Sequence, residues 1–246
     1  DEVITVTNFT YDSADKSSIT ISTTETNNVI NLYYVKNAKV ITHHYIENTD
    51  GTKTTTKVTL ANGNPANDVT ENTTYGATYT TSPITPSAEY EYKEVVGIAS
   101  GTVNSDEIVV TYYYQLKDVE YTVNYLDKRN NQPIETPKTD EDTVGTVVNA
   151  TDEVIDIDKY TYDSSDKTSI TLDLDETKNV LNLYYKRNAK VITHHYVIDE
   201  NGNTTTTPVT LANGNPAEDI TEDKFYEDTY TTTQADVAEY YEYVRV

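Results

Sequence analysis

Apolar and aromatic residues alternate with polar ones in short runs along almost the whole chain, the period-two signature of half-buried β-strands. Tyr121-Thr-Val-Asn-Tyr-Leu126 sets Tyr121, Val123 and Tyr125 on one face and Thr122 and Asn124 on the other. Asn179-Val-Leu-Asn-Leu-Tyr-Tyr185 groups Leu181, Leu183 and Tyr185, and Ile108-Val-Val-Thr-Tyr-Tyr-Tyr114 groups Ile108, Val110, Tyr112 and Tyr114. Thr, Val, Ile and Tyr, the residues that fit a pleated surface, dominate these runs. Asp50-Gly51 and Asn201-Gly202 lie between such runs and predict tight hairpins. Helical periodicity is weak. Thr143 to Thr151 is the best candidate for a short helical turn, with Asn67 to Asn72 and its copy Glu218 to Asp223 weaker. The fold class is mainly β.

The pattern also repeats over a long distance. Asn37-Ala-Lys-Val-Ile-Thr-His-His-Tyr45 returns as Asn188 to Tyr196, 151 residues on. Leu60 to Ala66 returns as Leu211 to Ala217, and Tyr90-Glu-Tyr92 as Tyr241-Glu-Tyr243, at the same offset. A duplicated unit of this length describes a tandem array rather than one catalytic body. Each period holds two module types that share a plan: an opening strand ending in Tyr, a hairpin, a polar middle and a closing strand ending in Tyr-Tyr. Four pieces follow. Residues 1–37 are the C-terminal part of a first-type module, and 38–117 are a second-type module. Residues 118–187 are a first-type module, and 188–246 a second-type module lacking its closing strand. The phase predicts a slice of a longer array, with unpaired sheet edges in its outermost modules. Junctions at Lys36-Asn37, Leu116-Lys117-Asp118 and Arg187-Asn188 leave almost no linker, which predicts an elongated rod.

Composition narrows the function classes. Asp plus Glu number 41 against 18 Lys plus Arg, a net charge of −23. Such a surface repels nucleic-acid phosphates and anionic membranes, so neither is an expected partner. Cys, Met and Trp are absent while Tyr numbers 23. The modules therefore have no disulfide staples, and tyrosine must build their cores. Lack of oxidation-prone side chains suits an exposed, extracellular life. No apolar run is long enough to span a bilayer.

The frame Val123-Asn-Tyr-Leu-Asp127, followed by a turn, and the closing Val110-Thr-Tyr-Tyr-Tyr114 resemble the MucBP modules, the mucin-binding-protein repeats of Gram-positive surface adhesins. The second-type module matches better, through Gly101-Thr-Val and Ile108 to Tyr114, whereas the first type is more divergent. The opening strand departs from the family pattern by carrying His43 and His194 where a small apolar residue is commoner. The resemblance implies tandem, small β-grasp-like modules in a cell-wall-attached, extracellular adhesin. It implies host mucin or glycan as partner, or immunoglobulin, which an exposed strand edge would contact. A pure structural spacer is the blander reading. The same neighbourhood implies a Lys–Asn isopeptide bond, for which no pair can be chosen from sequence.

Candidate chemistry is sparse. His43-His44 and His194-His195 are the only histidines, and adjacent strand residues face opposite ways, so neither pair chelates a metal. We expect His43 and His194 at the core edge, with His44 and His195 in solvent. Asp156-x-Asp158, Asp173-x-Asp175 and Asp199-Glu-Asn-Gly202 have calcium-like spacing but complete no calcium loop. Asp173, Asp175 and Asp199 are replaced by Ser22, Thr24 and Asn48 in the other copy. No metal and no cofactor are expected. With no nucleophile elbow, phosphate-cradling Gly loop or Cys, the chain is expected not to be an enzyme and to have no catalytic residues. A tyrosine can stack on a sugar and hydrogen-bond it. Tyr33, Tyr34, Tyr112 to Tyr114, Tyr184 and Tyr185 read mainly as structural, and Tyr90, Tyr92, Tyr241 and Tyr243 stay open. No ligand-binding residue is assigned. The expected segment is an adhesin stalk, monomeric within its array.

Overall fold

The computed structural model describes residues 2–244. Asp1, Arg245 and Val246, which the sequence places in the outermost modules, lie outside the described residues. The chain divides into two compact units, residues 1–119 and 120–246. Each is built on strands, and the helices among the described residues are three single 3-10 turns at Glu25–Asn27, Ala150–Glu153 and Glu176–Lys178.

In the first unit the strands are β1 (Phe9–Ala14), β2 (Leu32–Glu47), β3 (Lys53–Lys57), β4 (Val69–Thr74), β5 (Thr78–Thr80), β6 (Tyr90–Val96), β7 (Ser100–Thr102) and β8 (Glu107–Leu116). The long strand β2 organises them. Its first turns of pleat pair antiparallel with β1, from Leu32↔Ala14 to Lys36↔Phe9. Beyond Asn37 it pairs antiparallel with β4 on one edge and parallel with β8 on the other, Lys39↔Glu107 through Ile46↔Tyr114. β6 closes the far edge of β8, and β5 pairs with β7 in a small separate sheet. The β2–β3 hairpin turns where the Asp-Gly signal predicts, with Gly51 at φ 81°. A side chain there would meet the steric penalty of the left-handed region. Inward residues of β8, Val110, Tyr112 and Tyr114, pack with Val58 and Ala66. Ala38, Val40 and Val103 form an adjoining cluster.

In the second unit the strands are β9 (Asp118–Asp127), β10 (Lys138–Thr143), β11 (Val147–Asn149), β12 (Tyr160–Ser165), β13 (Ser169–Thr171), β14 (Val180–Thr193), β15 (Tyr196–Ile198), β16 (Thr204–Pro208) and β17 (Ile220–Phe225). The main sheet runs β10-β9-β14-β12. β9 and β14 are parallel, from Val180↔Thr122 to Tyr185↔Asp127, and β12 is antiparallel to β14. β11 pairs with β13. Past Arg187 the same strand β14 continues and pairs with β17, while β15 pairs with β16.

Residues 38–117 and 118–187 thus share one strand order, β4-β2-β8-β6 against β10-β9-β14-β12, with the β2–β3 hairpin added in the former. Details repeat as well. Tyr114 Oη accepts the backbone N–H of Ile84 (2.8 Å), as Tyr185 Oη accepts that of Ile155 (3.2 Å). The outer strand carries a register shift at Tyr92/Glu94 in one and at Tyr162/Ser164 in the other. A parallel central pair flanked by antiparallel strands is a β-grasp-like arrangement, here with no long helix crossing the sheet among the described residues.

Three sequence expectations are corrected. Thr143 to Thr151 is not a helical turn: it holds the end of β10, a Gly145 turn and β11, and helix begins only at Ala150. Val148 alternates inward there and pairs with Ile170. The weak helices expected at Asn67 to Asn72 and Glu218 to Asp223 are instead irregular for two residues and then strand, from Val69 in β4 and from Ile220 in β17. Those segments lack apolar alternation because backbone pairing with β2 and β14, not a buried face, holds them. Finally, His44 does not face solvent. It is 3% exposed, because Ala38, Val40, Thr42 and His44 form the inward row of β2.

Candidate interaction surfaces

The pleat splits His43-His44, with His44 in the core and His43 outside; His194-His195 lies between β14 and β15, with His194 exposed and His195 half-buried, the reverse of the expected placement of that pair. His44 stacks on Tyr112 (5.4 Å between ring centroids, 15° between planes), and its Nδ1 lies 3.1 Å from Tyr114 Oη. Burial depresses its pKa below the ordinary 6.5. Burial also pushes the Tyr114 and Tyr185 phenols up. These three groups are core, and His44 Nδ1, Tyr114 Oη and Tyr185 Oη find their hydrogen-bond partners within their own modules.

The outer face of the second-type sheet is different. His43 stacks on Tyr45 (5.0 Å, 14°), and Tyr45 lies 6.5 Å from Tyr113 on the neighbouring strand β8. All three rings are half-buried, and the two tyrosines are in register. Charged groups border the strip. Asp68 lies 3.0 Å from His43 Nδ1, the nitrogen that Tyr45 Oη also meets (3.0 Å), and 3.3 Å from Lys57 Nζ, and the His43 contact is the larger cause of its lowered pKa. Lys53 lies 5.5 Å from the Tyr113 ring and pairs with Glu94. In the copy, His194 stacks on Tyr196 (5.3 Å, 9°) and contacts Asp219 (2.6 Å). The first-type sheet has no such strip on β9 and β14. Asn124 and Asn182 instead hydrogen-bond across the pair at 2.8 Å.

Sequence reading grouped Tyr113 with the structural tyrosines, yet Tyr113 points away from the core that holds its neighbours Tyr112 and Tyr114. Strand parity was the signal: an inward Tyr112 and Tyr114 require an outward Tyr113. Of the tyrosines left open, Tyr92 is 45% exposed and packs edge-on against Tyr114 (6.1 Å), whereas Tyr90 is half-buried beside the β8 core. Tyr243 is exposed and Tyr241 half-buried.

The acidic motifs serve turns. Asp173 accepts the Asp175 N–H (2.9 Å) and pairs with Lys178, and Asp175 caps the following 3-10 turn by accepting from Thr177. Asp199 accepts from the backbone of Asn201 and Asn203. Asn179, fully buried, spends its amide on the backbone of Glu120 and Asp173. Lys138 is held between Glu153 (2.8 Å) and Tyr121 Oη (3.2 Å), and Glu153 keeps its amine charged by raising its pKa. An isopeptide bond needs a neutral lysine next to an amide, and neither Asn179 nor Lys138 offers the other half.

A cleft of about 230 Å³ lies where the first-type module passes into 188–246. Arg129 and Arg187 both stack on Tyr226, at 4.9 and 5.4 Å, and Arg129 pairs with Glu227 at 2.7 Å. Lys36 and Tyr75 (4.9 Å) occupy the matching positions in the first unit, where Asp106 accepts from both.

No protein-family model matches the chain, and no curated protein matches it. Among solved structures it is similar to Streptococcal High Identity Repeats in Tandem (SHIRT) domains 3-4 from a cell surface protein. The identity is 15% and the TM-score 0.30, over 60% of this chain and 96% of that one. A likeness that loose carries no functional argument. Among the described residues, no helix is long and apolar enough to cross a membrane.

Proposed function

We propose that this chain is a non-catalytic repeat segment of a bacterial surface adhesin whose second-type modules read host mucin glycans. The observation that carries this is the His43–Tyr45–Tyr113 strip with its bordering Asp68, Lys57 and Lys53. Aromatic faces stack on the apolar face of a sugar, and polar groups at their margins fix its hydroxyls. The MucBP resemblance favours the same ligand class. Binding of the folded chain to immobilised mucin, with and without enzymatic removal of glycans, tests it. Saturable binding that vanishes with the glycans is expected, and Tyr113→Ala should weaken it about tenfold, equivalent to ~1.4 kcal/mol. Binding that persists without glycans, or no binding at all, overturns it.

A second reading, the pure spacer, is favoured by one feature. The strands β2 and β14 each run without a break from the closing strand of one module into the opening strand of the next. A shared strand leaves no linker to hinge, which suits a stalk.

A further inference from the structure

The outer face of the sheet in residues 38–117 extends beyond the aromatic strip. Residues directly opposite one another on paired strands share a face, so the register gives its rows. Tyr45, Tyr113 and Glu94 form one row, and His43, Thr111 and Val96 form the next. Ile41 and Val109 form the third. Val96 is 46% exposed and Val109 44%, with Ile41 half-buried. Gly97 lets the end of β6 lie against β8 there, since a Cβ would stand 2.6 Å from the Val109 carbonyl oxygen. The face therefore passes from rings to aliphatic side chains within two rows, with Thr111 between them. Val96 is the diagonal neighbour of Tyr113, about 7–8 Å away.

The first-type sheet fills the same positions differently. With Tyr185 set on Tyr114, Val180 and Thr122 stand for Val109 and Ile41, and Asn182 and Asn124 for Thr111 and His43. Asp166 stands where the second type has Val96. Its N–H donates to the Asn182 carbonyl (3.0 Å), and its carboxylate accepts the Asn182 backbone N–H and side-chain amide, both at 2.9 Å. That face spends its polar groups on itself. On the second-type face the bordering charges are spent in pairs: Lys39 with Glu107 (2.7 Å), Lys57 with Asp68 (3.3 Å) and Lys53 with Glu94. Glu47 adds a carboxylate beyond Tyr45 on the same side of β2. None of these lysines is left to meet an anion. The charge pattern fits a neutral occupant and opposes an acidic one.

We propose that this face takes a neutral hexose carrying an acetamido group, its ring on Tyr113 and Tyr45 and its acetyl methyl on Val96 and Val109. A sugar ring stacks on an aromatic face, and a methyl carried beside it gains by leaving water for an apolar neighbour. The diagonal from Tyr113 to Val96 sets that neighbour one substituent away from the stacked ring. Thr111 lies between them, where its hydroxyl exchanges a hydrogen bond with the amide. A plain hexose leaves both valines in water, and a sialylated or sulfated one meets no unpaired lysine. The inference rests on the glycan reading and names the class of sugar.

The test is NMR of the full chain, titrated separately with the methyl glycosides of N-acetylglucosamine, glucose, fucose and N-acetylneuraminic acid. The N-acetylglucosamine glycoside should shift the amides of residues 41–45, 94–96 and 109–113 saturably. It should bind about tenfold more tightly than the glucoside, the scale of one buried methyl and one hydrogen bond. The fucoside, a methyl without the amide, and the sialoside, an acetamido group with a carboxylate, should bind no better than the glucoside. Val96→Thr should narrow the preference. Val96→Asp, which installs the first-type carboxylate at an exposed position, should erase it, with the remaining signals of residues 38–117 reporting an intact fold. Tyr113→Ala should weaken both neutral sugars alike. If the glucoside matches the acetamido sugar on this face, the glycan reading stands and the acetamido proposal falls. A better-bound fucoside or sialoside, or a preference that survives Val96→Asp, also overturns it. If no sugar shifts these residues, both readings fall.

Discussion

Ala38–Tyr45 and Ala189–Tyr196 are the same eight residues, yet they live in different surroundings. In the first, β8 lies alongside and the inward row is buried. In the second no strand occupies that edge among the described residues, and the same side chains are half-buried or exposed. Ile41 is half-buried and Ile192 is 55% exposed. Local sequence sets the pleat and the alternation in both copies. It does not set burial, which arrives with a strand more than sixty residues away in the chain. A module of this design is completed by its last strand, because β8 sits between β2 and β6 and supplies the three central core side chains.

The sharpest way to break the contrast is to make the first copy resemble the second. Val110 is fully buried at the centre of β8. Val110→Asp places an unpaired carboxylate there, at a cost of roughly 3–5 kcal/mol. That is a large share of the stability of a small domain, about 5–15 kcal/mol. Amide exchange at residues 39–46 should accelerate to the level of residues 190–197. Unchanged protection in that strand would mean that β8 is not what distinguishes the copies.

A smaller effect compares the two complete modules. Tyr114 and Tyr185 occupy the same site, and each hydroxyl ties the closing strand to the segment before the outer strand. Tyr114 also meets His44, which is nearly inaccessible to water, whereas Tyr185 donates to the carbonyl of Ile155 (3.1 Å), a residue open to solvent. Removing a hydroxyl from a buried pair leaves a stranded partner, worth about 1–3 kcal/mol, while water can replace one at the surface. Tyr114→Phe should therefore lower the stability of its module by more than Tyr185→Phe does. Denaturant titrations read residue by residue by NMR would compare them. Equal losses would show that His44 does not need the Tyr114 hydroxyl.

Much of this fold is legible in the sequence where one row of a strand is plainly apolar. Val110-Tyr112-Tyr114, Leu181-Leu183-Tyr185 and Tyr121-Val123-Tyr125 are inward rows in the structure as they are in the alternation. The opening strand of the second type defeats that reading. Its two rows, Ala38-Val40-Thr42-His44 and Lys39-Ile41-His43-Tyr45, carry similar apolar character, so parity is fixed only by the face that Val58, Ala66 and Val103 cover. The expectation of a solvent-facing His44 fails for that reason. On β8 the alternation that turns Val110, Tyr112 and Tyr114 inward turns Tyr113 outward, but it does not show that Tyr45 lies beside it, because that pairing joins strands far apart in the chain. β4 and β17 were unreadable for another cause: Val69–Thr74 and Ile220–Phe225 bury no continuous row, and a partner's backbone makes them strands.

The mildest test titrates the buried imidazole. Folding holds the His44 pKa below 6.5, mainly through burial. Above 6.5 both folded and unfolded chains carry it neutral, and it contributes no pH dependence. As pH falls below 6.5 the unfolded chain takes up a proton that the folded module resists. The unfolded state then binds more protons, and stability drops until the folded pKa is passed. One proton limits the slope to about 1.4 kcal/mol per pH unit. Residues 38–117 should therefore weaken between neutral pH and the onset of carboxylate titration. His44→Phe, which keeps a ring against Tyr112, should flatten the dependence in that window even if it lowers stability throughout. Melting curves taken across it measure both. An unchanged slope in His44→Phe would mean that protonation is borne elsewhere.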